Sequence, residues 1–416
     1  MIHSPVGLVV ARLLSAALAL ITSPLIARAI GAEGRGLVAA ATTALMILPV
    51  VLAFGLPWAV RRRCSVDDDP CSVIRGARWL ALFTFVPGAL FGLLLRYTLL
   101  SDLPHIAGIL FVIGLSLTPM VVIRNCQISL LVVEHQYFRI FLVTVCQPAV
   151  YFAAIVAMSV SGSLTLTAVI CSYVGSVASS FLMTSRVSPI SWLGSRVRWA
   201  PLAREALSAS GAQISEIASY RLNQMILLPL IGGAALGNYA VAANIALAPA
   251  PIGHALGAVG FKDMASGTEA SRRGSLEGSM KAAVWLAALS ALLVSVIAPF
   301  IIPWAFGKEF TAAIPATIVL ALGGFFVICN YVLTSGLVAQ GETSRASYAH
   351  FSGFIVGLIA LFALSLPFGL MGAAFASLLG FLATAVVASI FSKVGIALWL
   401  PRVASFKAAF SMILRK

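Results

Sequence analysis

The stretch VGLVVARLLSAALALITSPLIARAI (residues 6–30) and the stretch GLVAAATTALMILPVVLAFGLPWAV (residues 36–60) decide the fold of this chain. Each is apolar over more than the roughly 20 residues that an α-helix needs to cross the hydrocarbon core of a bilayer. Arg12 and Arg28 are their only charged residues, and the five residues GAEGR (31–35) join them. Two apolar stretches with so short a connection predict a transmembrane helical hairpin.

The same pattern continues along nearly the whole chain. Hydrophobic residues make up 61% of the sequence and charged residues only 10%, and the mean hydropathy is +1.04. This composition excludes a soluble globular domain. We predict an all-α integral membrane protein with about 12 transmembrane helices. The predicted spans are 6–30, 36–60, 78–99, 106–133, 140–160, 164–185, 205–231, 236–260, 281–305, 312–339, 347–367 and 370–392.

The positive charges predict the orientation of these helices. With the N-terminus in the cytoplasm, 20 of the 27 lysines and arginines fall in inside segments and 3 in outside segments. Cytoplasmic loops of membrane proteins carry such an excess of positive charge, so both termini are expected in the cytoplasm. The net charge of +14 is dispersed over short loops. That distribution indicates attraction to anionic membrane lipids and argues against nucleic acid as a partner.

The longest connections lie on the predicted cytoplasmic side, and the one at 186–204 falls near the middle of the chain. It carries two tryptophans among its arginines, so it is expected to be a linker that lies on the membrane surface. The linker separates two predicted six-helix bundles, 1–190 and 205–392. The tail, 393–416, mixes apolar residues with lysine and arginine, which indicates a basic interfacial helix, with a disordered segment as the alternative.

Short sequence matches relate the two predicted bundles. Ile30-Gly31 and Gly36 reappear as Ile231-Gly232 and Gly237, at a constant offset of 201 residues. In both halves the first glycine is expected to reverse the backbone in a tight turn between two spans. We therefore predict bundles of the same topology, related by pseudo-two-fold symmetry about an axis along the membrane normal, with the binding site between them.

Polar residues inside a predicted span are candidates for a functional site, because burying them in lipid is costly unless they face a cavity or a partner. The seventh span, 205–231, is the most polar of the twelve. One arc of its helical wheel collects Glu216, Tyr220, Arg221, Asn223 and Gln224. The alternative is a buried Glu216–Arg221 pair that braces helix packing, although residues five apart are poorly placed for a local salt bridge.

Three further candidates lie in other spans. Arg12, in the first span, is expected either to line a cavity or to extend to the cytoplasmic interface. Arg124 lies well inside the fourth span, where a cation suits an anionic substrate. His254, in the eighth span, is either a proton-coupling residue or a hydrogen-bonded packing residue.

No metal site or cofactor is expected. Cys64 and Cys71 flank Asp67, Asp68 and Asp69, but neither a histidine nor a second cysteine pair accompanies them. We therefore interpret these cysteines as reduced structural thiols. The predicted outside loops are short turns, too small to supply the acceptor site and catalytic groups of an enzyme. The chain is accordingly predicted not to be an enzyme.

Several short motifs resemble, in order, those of bacterial polysaccharide flippases. They are Leu14-Ser15 through Gly34-x-Gly36, Phe54-Gly55-Leu56-Pro57, Tyr220-Arg221-Leu222-Asn223-Gln224, Leu337-Val338-Ala339-Gln340-Gly341 and Gly369-Leu370-x-Gly372-Ala373-Ala374. The resemblance covers nearly the whole chain. It places the chain with the oligosaccharide-lipid exporters of the multidrug/oligosaccharidyl-lipid/polysaccharide (MOP) superfamily.

The resemblance implies a bacterial cytoplasmic-membrane transporter that flips an undecaprenyl-pyrophosphate-linked oligosaccharide by alternating access, for surface polysaccharide or cell-wall glycan synthesis. In such a role, Arg221, Arg12 and Arg124 suit the pyrophosphate, because guanidinium groups form bidentate bonds to phosphate. Tyr220, Asn223 and Gln224 suit sugar hydroxyls. Other polysaccharide-assembly membrane proteins are expected partners. The alternatives are a drug or organic-cation exporter of the same superfamily, and a scaffold or glycosyltransferase of a glycan-assembly complex.

One motif departs from the family pattern and affects the expected energy coupling. The seventh span of the family often has Arg-x-Asp, whereas this chain has Arg221-Leu222-Asn223. An amide cannot titrate, so Asn223 cannot couple transport to protons through a change of charge. Glu216 is the first substitute, because partial burial raises a carboxyl pKa towards the working range. His254 is the second.

Overall fold

The computed structural model describes residues 6–66, 69–217, 223–266 and 268–399. In these ranges the chain is almost entirely α-helical. The helices are α1 (Val6–Leu52), α2 (Leu56–Cys64), α3 (Pro70–Leu82), α4 (Phe85–Thr98), α5 (His105–Ser116), α6 (Thr118–Val133), α7 (Tyr137–Val160), α8 (Leu166–Val187), α9 (Trp199–Ile217), α10 (Asn223–Ala246), α11 (Pro251–Ala265), α12 (Glu269–Ile301), α13 (Ala313–Ala339) and α14 (Thr343–Phe391). Shorter turns at Ile302–Phe306, Lys308–Phe310 and Ile396–Trp399 complete the described secondary structure.

Many of these helical segments are long and apolar enough to cross a membrane. In the described ranges eight helical segments meet that requirement, or up to nine when α5 and α6, bent by 41° relative to each other, count as one span. The chain is therefore an all-helical, multi-pass membrane protein, as predicted.

Glycines divide the longest of these helices. Helix α1 runs over 47 residues and α14 over 49. At about 1.5 Å per residue such lengths are roughly twice the thickness of the hydrocarbon core, so each must turn back. The backbone breaks at Gly31 in α1 (φ 68°), at Gly232 in α10 (φ 79°) and at Gly369 in α14 (φ 52°). Positive φ favours glycine, and the breaks expected at Gly31 and Gly232 are confirmed.

Four spans predicted as continuous helices are interrupted in the structure: 36–60, 78–99, 106–133 and 236–260. In each case a proline stands in the first turn of the helix that follows the break: Pro57 in α2, Pro87 in α4, Pro119 in α6 and Pro251 in α11. Proline lacks an N–H, so it fits a first turn, where that group has no intrahelical acceptor. Hydropathy is insensitive to these breaks because the residues around them remain apolar.

The chain divides into two compact units, 1–217 and 218–416. In the first unit, α2, α3, α6 and α9 share a core that includes Val60, Ile74 and Leu202. A second core in the same unit joins α1, α7 and α8. The linker predicted at 186–204 lies wholly within this unit, and α9, which begins the predicted seventh span, packs against α2 and α3.

The second unit has a core formed by α11, α12, α13 and α14, with Met280, Val332 and Leu333 fully buried. Trp399, at the end of the described chain, packs against Phe325 and Phe326 of α13 and donates a hydrogen bond to Ser389 Oγ of α14 at 3.2 Å. Of the predicted basic tail, residues 400–416 lie outside the described residues.

The predicted orientation can be tested with two native cysteines that differ in exposure. Cys71 is exposed at the start of α3, and Cys64 is buried at the end of α2. In single-cysteine variants, an impermeant thiol reagent should label Cys71 only after spheroplasts are permeabilised, and Cys64 slowly or not at all. Ser101→Cys, at an exposed position on the predicted outside, is the control and should react in intact spheroplasts. Labelling of Cys71 in intact spheroplasts would show that the predicted orientation is wrong.

Candidate functional site

A cationic cluster forms where α6, α7 and α8 meet in the first unit. Arg124 of α6 donates hydrogen bonds to Gln147 Oε1 of α7, to Ser180 Oγ of α8 at 3.2 Å and to Asn125 Oδ1 at 3.4 Å. Its Nε is inaccessible to solvent and has no partner. All three acceptors are neutral, and no ion pair of Arg124 occurs in the described part of the chain. The cluster therefore keeps a full positive charge.

A second cation is buried in the same unit. Arg35 of α1 is only 8% exposed, and its guanidinium donates to Ser23 Oγ at 3.4 Å. Its Nε also lacks a partner. The Tyr151 hydroxyl of α7 lies within electrostatic range of Arg35, and the Tyr151 ring contacts Tyr173 of α8 edge to face, with 5.8 Å between centroids. Residues 31–35 were predicted as a connecting turn, but Arg35 lies in the helix beyond the break at Gly31, with its side chain buried inside the unit.

A bidentate ion pair fixes the start of α9. Arg63 of α2 donates from Nε to Glu205 Oε2 at 3.1 Å and from Nη2 to Glu205 Oε1 at 2.7 Å. Fork-to-fork pairs of this kind combine charge with a defined geometry. The pair holds the first turns of α9 against α2, and α9 is the helix that leads towards the polar residues of the predicted seventh span.

Those residues fall at a gap in the described chain. Helix α9 is described to Ile217 and α10 from Asn223. Tyr220 and Arg221 lie outside the described residues, and so do the side chains of Glu216, Asn223 and Gln224. Their predicted roles stay predictions.

Arg12 does not join the cationic cluster. Its side chain is exposed on α1, and neither a hydrogen bond nor an ion pair links it to Arg124 in the described ranges. Two hydroxyls of α1 bond to their own helix: Ser15 donates to Ala11 O at 2.8 Å and Thr22 to Leu18 O at 2.6 Å.

His254 lies in a tight helix–helix contact in the second unit. Its ring stacks on Tyr331 of α13, with 3.5 Å between centroids and 34° between planes. Gly253 and Gly257 flank it along α11: a Cβ at these positions would lie 2.8 Å from Ile328 O and 2.5 Å from Ser335 Oγ of α13. The close approach of the two helices depends on these glycines.

Arg124 was a candidate from the sequence, and its role towards substrate stays a prediction; its partners Gln147 and Ser180 and the burial of Arg35 were not predicted. The signal for Arg35 was present. It is flanked by Gly34 and Gly36, and small residues on both sides of a cation let a neighbouring helix approach the backbone. Gln147 and Ser180 carry no comparable local signal, because only the packing of three helices brings them to Arg124.

The sequence matches a known protein family. Residues 6–260, more than half of the chain, match the family described as "Polysaccharide biosynthesis protein". The chain belongs to this family. Family membership agrees with the resemblance noted in the sequence.

Solved structures show the fold of this chain independently. It is similar to a structure described as "Lipid II flippase MurJ, inward closed conformation", with a TM-score of 0.77 at 13% identity, over 98% of this chain and 92% of that chain. It is also similar to an inward-facing multidrug resistance MATE family transporter of the MOP superfamily, with a TM-score of 0.69 at 14% identity, over 91% of this chain and 94% of that one.

A third structure is described as "Reverse polarity of binding pocket suggests different function of a MOP superfamily transporter from Pyrococcus furiosus Vc1 (DSM3638)". Its TM-score is 0.53 at 12% identity, over 93% of this chain and 94% of that chain. At these identities the likeness shows the fold alone, and that fold is the one of MOP transporters. No functionally curated protein matches the chain.

The cationic cluster predicts an unequal response to removing its two main acceptors. Losing an acceptor of a charged donor costs about 1.5–3 kcal/mol. Gln147 Oε1 lies closer to Arg124 than Ser180 Oγ does, so Gln147→Leu should lower the Tm of the purified protein more than Ser180→Ala. Ser179→Ala is the matched control, since Ser179 donates to Gly175 O of its own helix and, in the described part of the chain, not to Arg124 or its acceptors. Thermal denaturation in detergent measures all three. An unchanged Tm for Gln147→Leu would mean that Arg124 does not depend on this contact.

Proposed function

We propose that this protein flips an undecaprenyl-pyrophosphate-linked oligosaccharide across the bacterial cytoplasmic membrane by alternating access, for surface polysaccharide or cell-wall glycan synthesis. The polysaccharide biosynthesis family and the MOP fold support a transporter in glycan assembly. The MurJ structure with the same fold is described as a lipid II flippase, and lipid-linked glycans are its class of substrate by that description. In this proposal no cofactor takes part, and other polysaccharide-assembly membrane proteins are partners.

The observation that carries the proposal is the charge of the first unit's interior. Arg124 and Arg35 are held by neutral groups only, so neither guanidinium is compensated by a carboxylate in the described residues. A pyrophosphate is an anion, and the field of unpaired guanidinium groups favours its entry and disfavours a cation.

The substrate residues are proposed by matching chemistry. Arg221, Arg12 and Arg124 would bind the pyrophosphate, since arginine forms bidentate, charge-assisted bonds to phosphate oxygens. Tyr220, Asn223 and Gln224 would bind sugar hydroxyls with their hydroxyl and amide groups. The prenyl chain needs no polar site, because it can remain in the bilayer while the head group crosses.

The proposed architecture has twelve crossings in two six-helix bundles related by pseudo-two-fold symmetry. The described helices support this number when the segments on either side of Gly31, Gly232 and Gly369 are counted separately and α5 with α6 as one crossing. Both termini would then face the cytoplasm, in keeping with the distribution of lysine and arginine.

Energy coupling is proposed to use Glu216, with His254 as the second candidate. Glu216 lies near the end of α9, next to the polar residues of the seventh span. His254 stacks on Tyr331, so a change in its charge would act on the contact between α11 and α13.

Efflux of drugs or organic cations is the second candidate function, because the MATE transporters share the fold. A cationic substrate would favour carboxylates in the interior. Among the residues whose side chains are described, no aspartate or glutamate is buried, whereas the buried charged residues of the first unit are arginines. A scaffold or glycosyltransferase of the assembly complex is the remaining alternative. Loss of such a protein would not change the side of the membrane on which lipid-linked intermediates are found.

Loss of the protein should trap its substrate on the cytoplasmic side. In a deletion strain, mass spectrometry should find accumulated undecaprenyl-pyrophosphate-linked oligosaccharide that a periplasmic glycosidase cannot reach. Wild-type protein should relieve the accumulation. Arg221→Ala should reduce export by roughly tenfold or more, because a hydrogen-bonded contact with a charged group contributes about 1.5–3 kcal/mol. Arg221→Lys should retain only part of the export activity, since lysine lacks the planar guanidinium group that binds phosphate through two hydrogen bonds.

Arg139→Ala is the control for this experiment, since Arg139 is an exposed arginine near the start of α7 with no proposed contact to substrate. Its export should equal that of the wild type at equal protein levels. A deletion strain without accumulated intermediate would refute the flippase proposal. Equal loss of folded protein in both Arg221 variants would instead give Arg221 a packing role.

Glu216→Gln mimics the protonated carboxyl and should uncouple transport from pH. We expect a protein that binds lipid-linked oligosaccharide normally, flips it slowly and loses the pH dependence of flipping in proteoliposomes. His254→Gln, measured in parallel, should retain pH dependence. Undiminished, pH-sensitive flipping by Glu216→Gln would remove Glu216 from the mechanism and leave His254 or the glycan gradient to drive transport.

A further inference from the structure

The linker between α8 and α9 is folded back onto α3 rather than lying free. Val197 N donates to Ser72 O at 3.3 Å, and Arg75 Nε donates to Ser195 O at 2.7 Å. Arg78 Nη1 donates to Ile190 O at 2.8 Å. Gly76 permits the approach, since a Cβ there would lie 3.1 Å from Val197 O. These contacts fix the linker as one wall of a surface pocket.

The pocket between this wall and α3 has a volume of about 470 Å³. Its walls are mainly apolar and include Trp79 and Phe83 on one side and Val197 and Trp199 on the other. Phe83 is 73% exposed and Trp199 67% exposed. Cavities of this size are typical of small-molecule sites, and contiguous exposed apolar surface of this kind requires a partner or a membrane.

Two arginines give the pocket its charge. Arg196 lies over the Trp79 ring, 4.8 Å from its centroid, and Arg198 lines the same pocket. Neither forms an ion pair in the described ranges. The nearby carboxylate of Asp69 is already bonded to Arg75 and to Ser195 Oγ. The pocket thus combines an apolar interior with two uncompensated cations.

An amphiphile with an anionic head matches this combination. Guanidinium groups bind phosphate through charge-assisted bonds, and an acyl chain fits walls made of tryptophan, phenylalanine and valine. Exposed tryptophans favour the interface of a bilayer, and α3 with α4 forms one of the candidate spans, Pro70–Thr98. The predicted cytoplasmic side of this span faces the leaflet in which anionic lipids attract clustered arginines.

We propose that this pocket binds an anionic phospholipid of the cytoplasmic leaflet. The phosphate contacts Arg196 and Arg198, and an acyl chain lies against Trp79, Phe83 and Trp199. Bound lipid bridges the linker and α3, so it strengthens the docking of the segment that leads into α9. The lining residues of the pocket are not among the proposed substrate residues, and the proposal does not depend on which molecule the protein transports.

The test measures lipid binding to the full-length protein in detergent by native mass spectrometry, with phosphatidylglycerol and phosphatidylcholine as probes. The wild type should bind one phosphatidylglycerol more tightly than phosphatidylcholine. The double variant Arg196→Gln/Arg198→Gln should weaken phosphatidylglycerol binding about thirtyfold, from about 1 kcal/mol for each arginine at an anionic surface. Phe83→Ala should weaken it as well, although Phe83 is too exposed for its loss to unfold α3.

The matched control is Arg139→Gln/Arg186→Gln, which removes the same charge from two exposed arginines on the same predicted side. It should bind phosphatidylglycerol like the wild type. Equal loss in both double variants would show unspecific attraction and overturn the proposal, as would binding of free glycerol phosphate with the same affinity. Displacement of phosphatidylglycerol by an equimolar amount of undecaprenyl phosphate would also overturn it, because the pocket would then belong to the substrate's lipid.

Discussion

Hydrocarbon offers no hydrogen-bond partner to a peptide backbone, and the described structure follows from that constraint. Helices satisfy their own N–H and C=O groups, and departures from helix fall where glycine or proline reduces the cost of a break. Hydroxyl side chains within the spans obey the same constraint: Ser15, Thr184 and Thr317 each donate to the carbonyl four residues earlier in their own helix. Such groups are satisfied locally and place no demand on neighbouring helices.

Guanidinium groups cannot be satisfied in this way, since they are too long and carry too many donors for their own helix. Arg124 and Arg35 therefore draw acceptors from other helical segments, Gln147 and Ser180 in one case and Ser23 in the other. Neutral acceptors solvate the guanidinium without cancelling its charge, in contrast to the Arg63–Glu205 pair, where a carboxylate does both. Arg124 and Arg35 thus keep an uncompensated positive charge in the interior of the first unit, whereas the charge of Arg63 is neutralised by Glu205.

The sequence was informative wherever a local rule decides the structure. Apolar length predicted the helices, and the offset of 201 residues predicted the breaks at Gly31 and Gly232. The interruptions before Pro57, Pro119 and Pro251 were not predicted, because a proline inside an apolar run can stand either within a kinked helix or in the first turn of a new one. Pro24 and Pro148 illustrate the first outcome, since both lie inside helices.

The candidate site depended on information that no local rule contains. Burial of Arg35 and the partners of Arg124 arise from packing between segments far apart in sequence, as does the folding of the linker onto α3. Gln147 resembles any other amide in an apolar helix until α6, α7 and α8 are brought together. The seventh-span residues were found from helical periodicity alone, and their assignment stays a prediction.

The glycine contact between α11 and α13 has a mechanical consequence. With no side chain between the backbones at Gly253 and Gly257, rotation or sliding of one helix against the other would bring carbonyl and hydroxyl oxygens into overlap. The close contact therefore favours movement of the two helices together. The non-helical residues 247–250, directly before α11, are adjacent to one end of this helix pair.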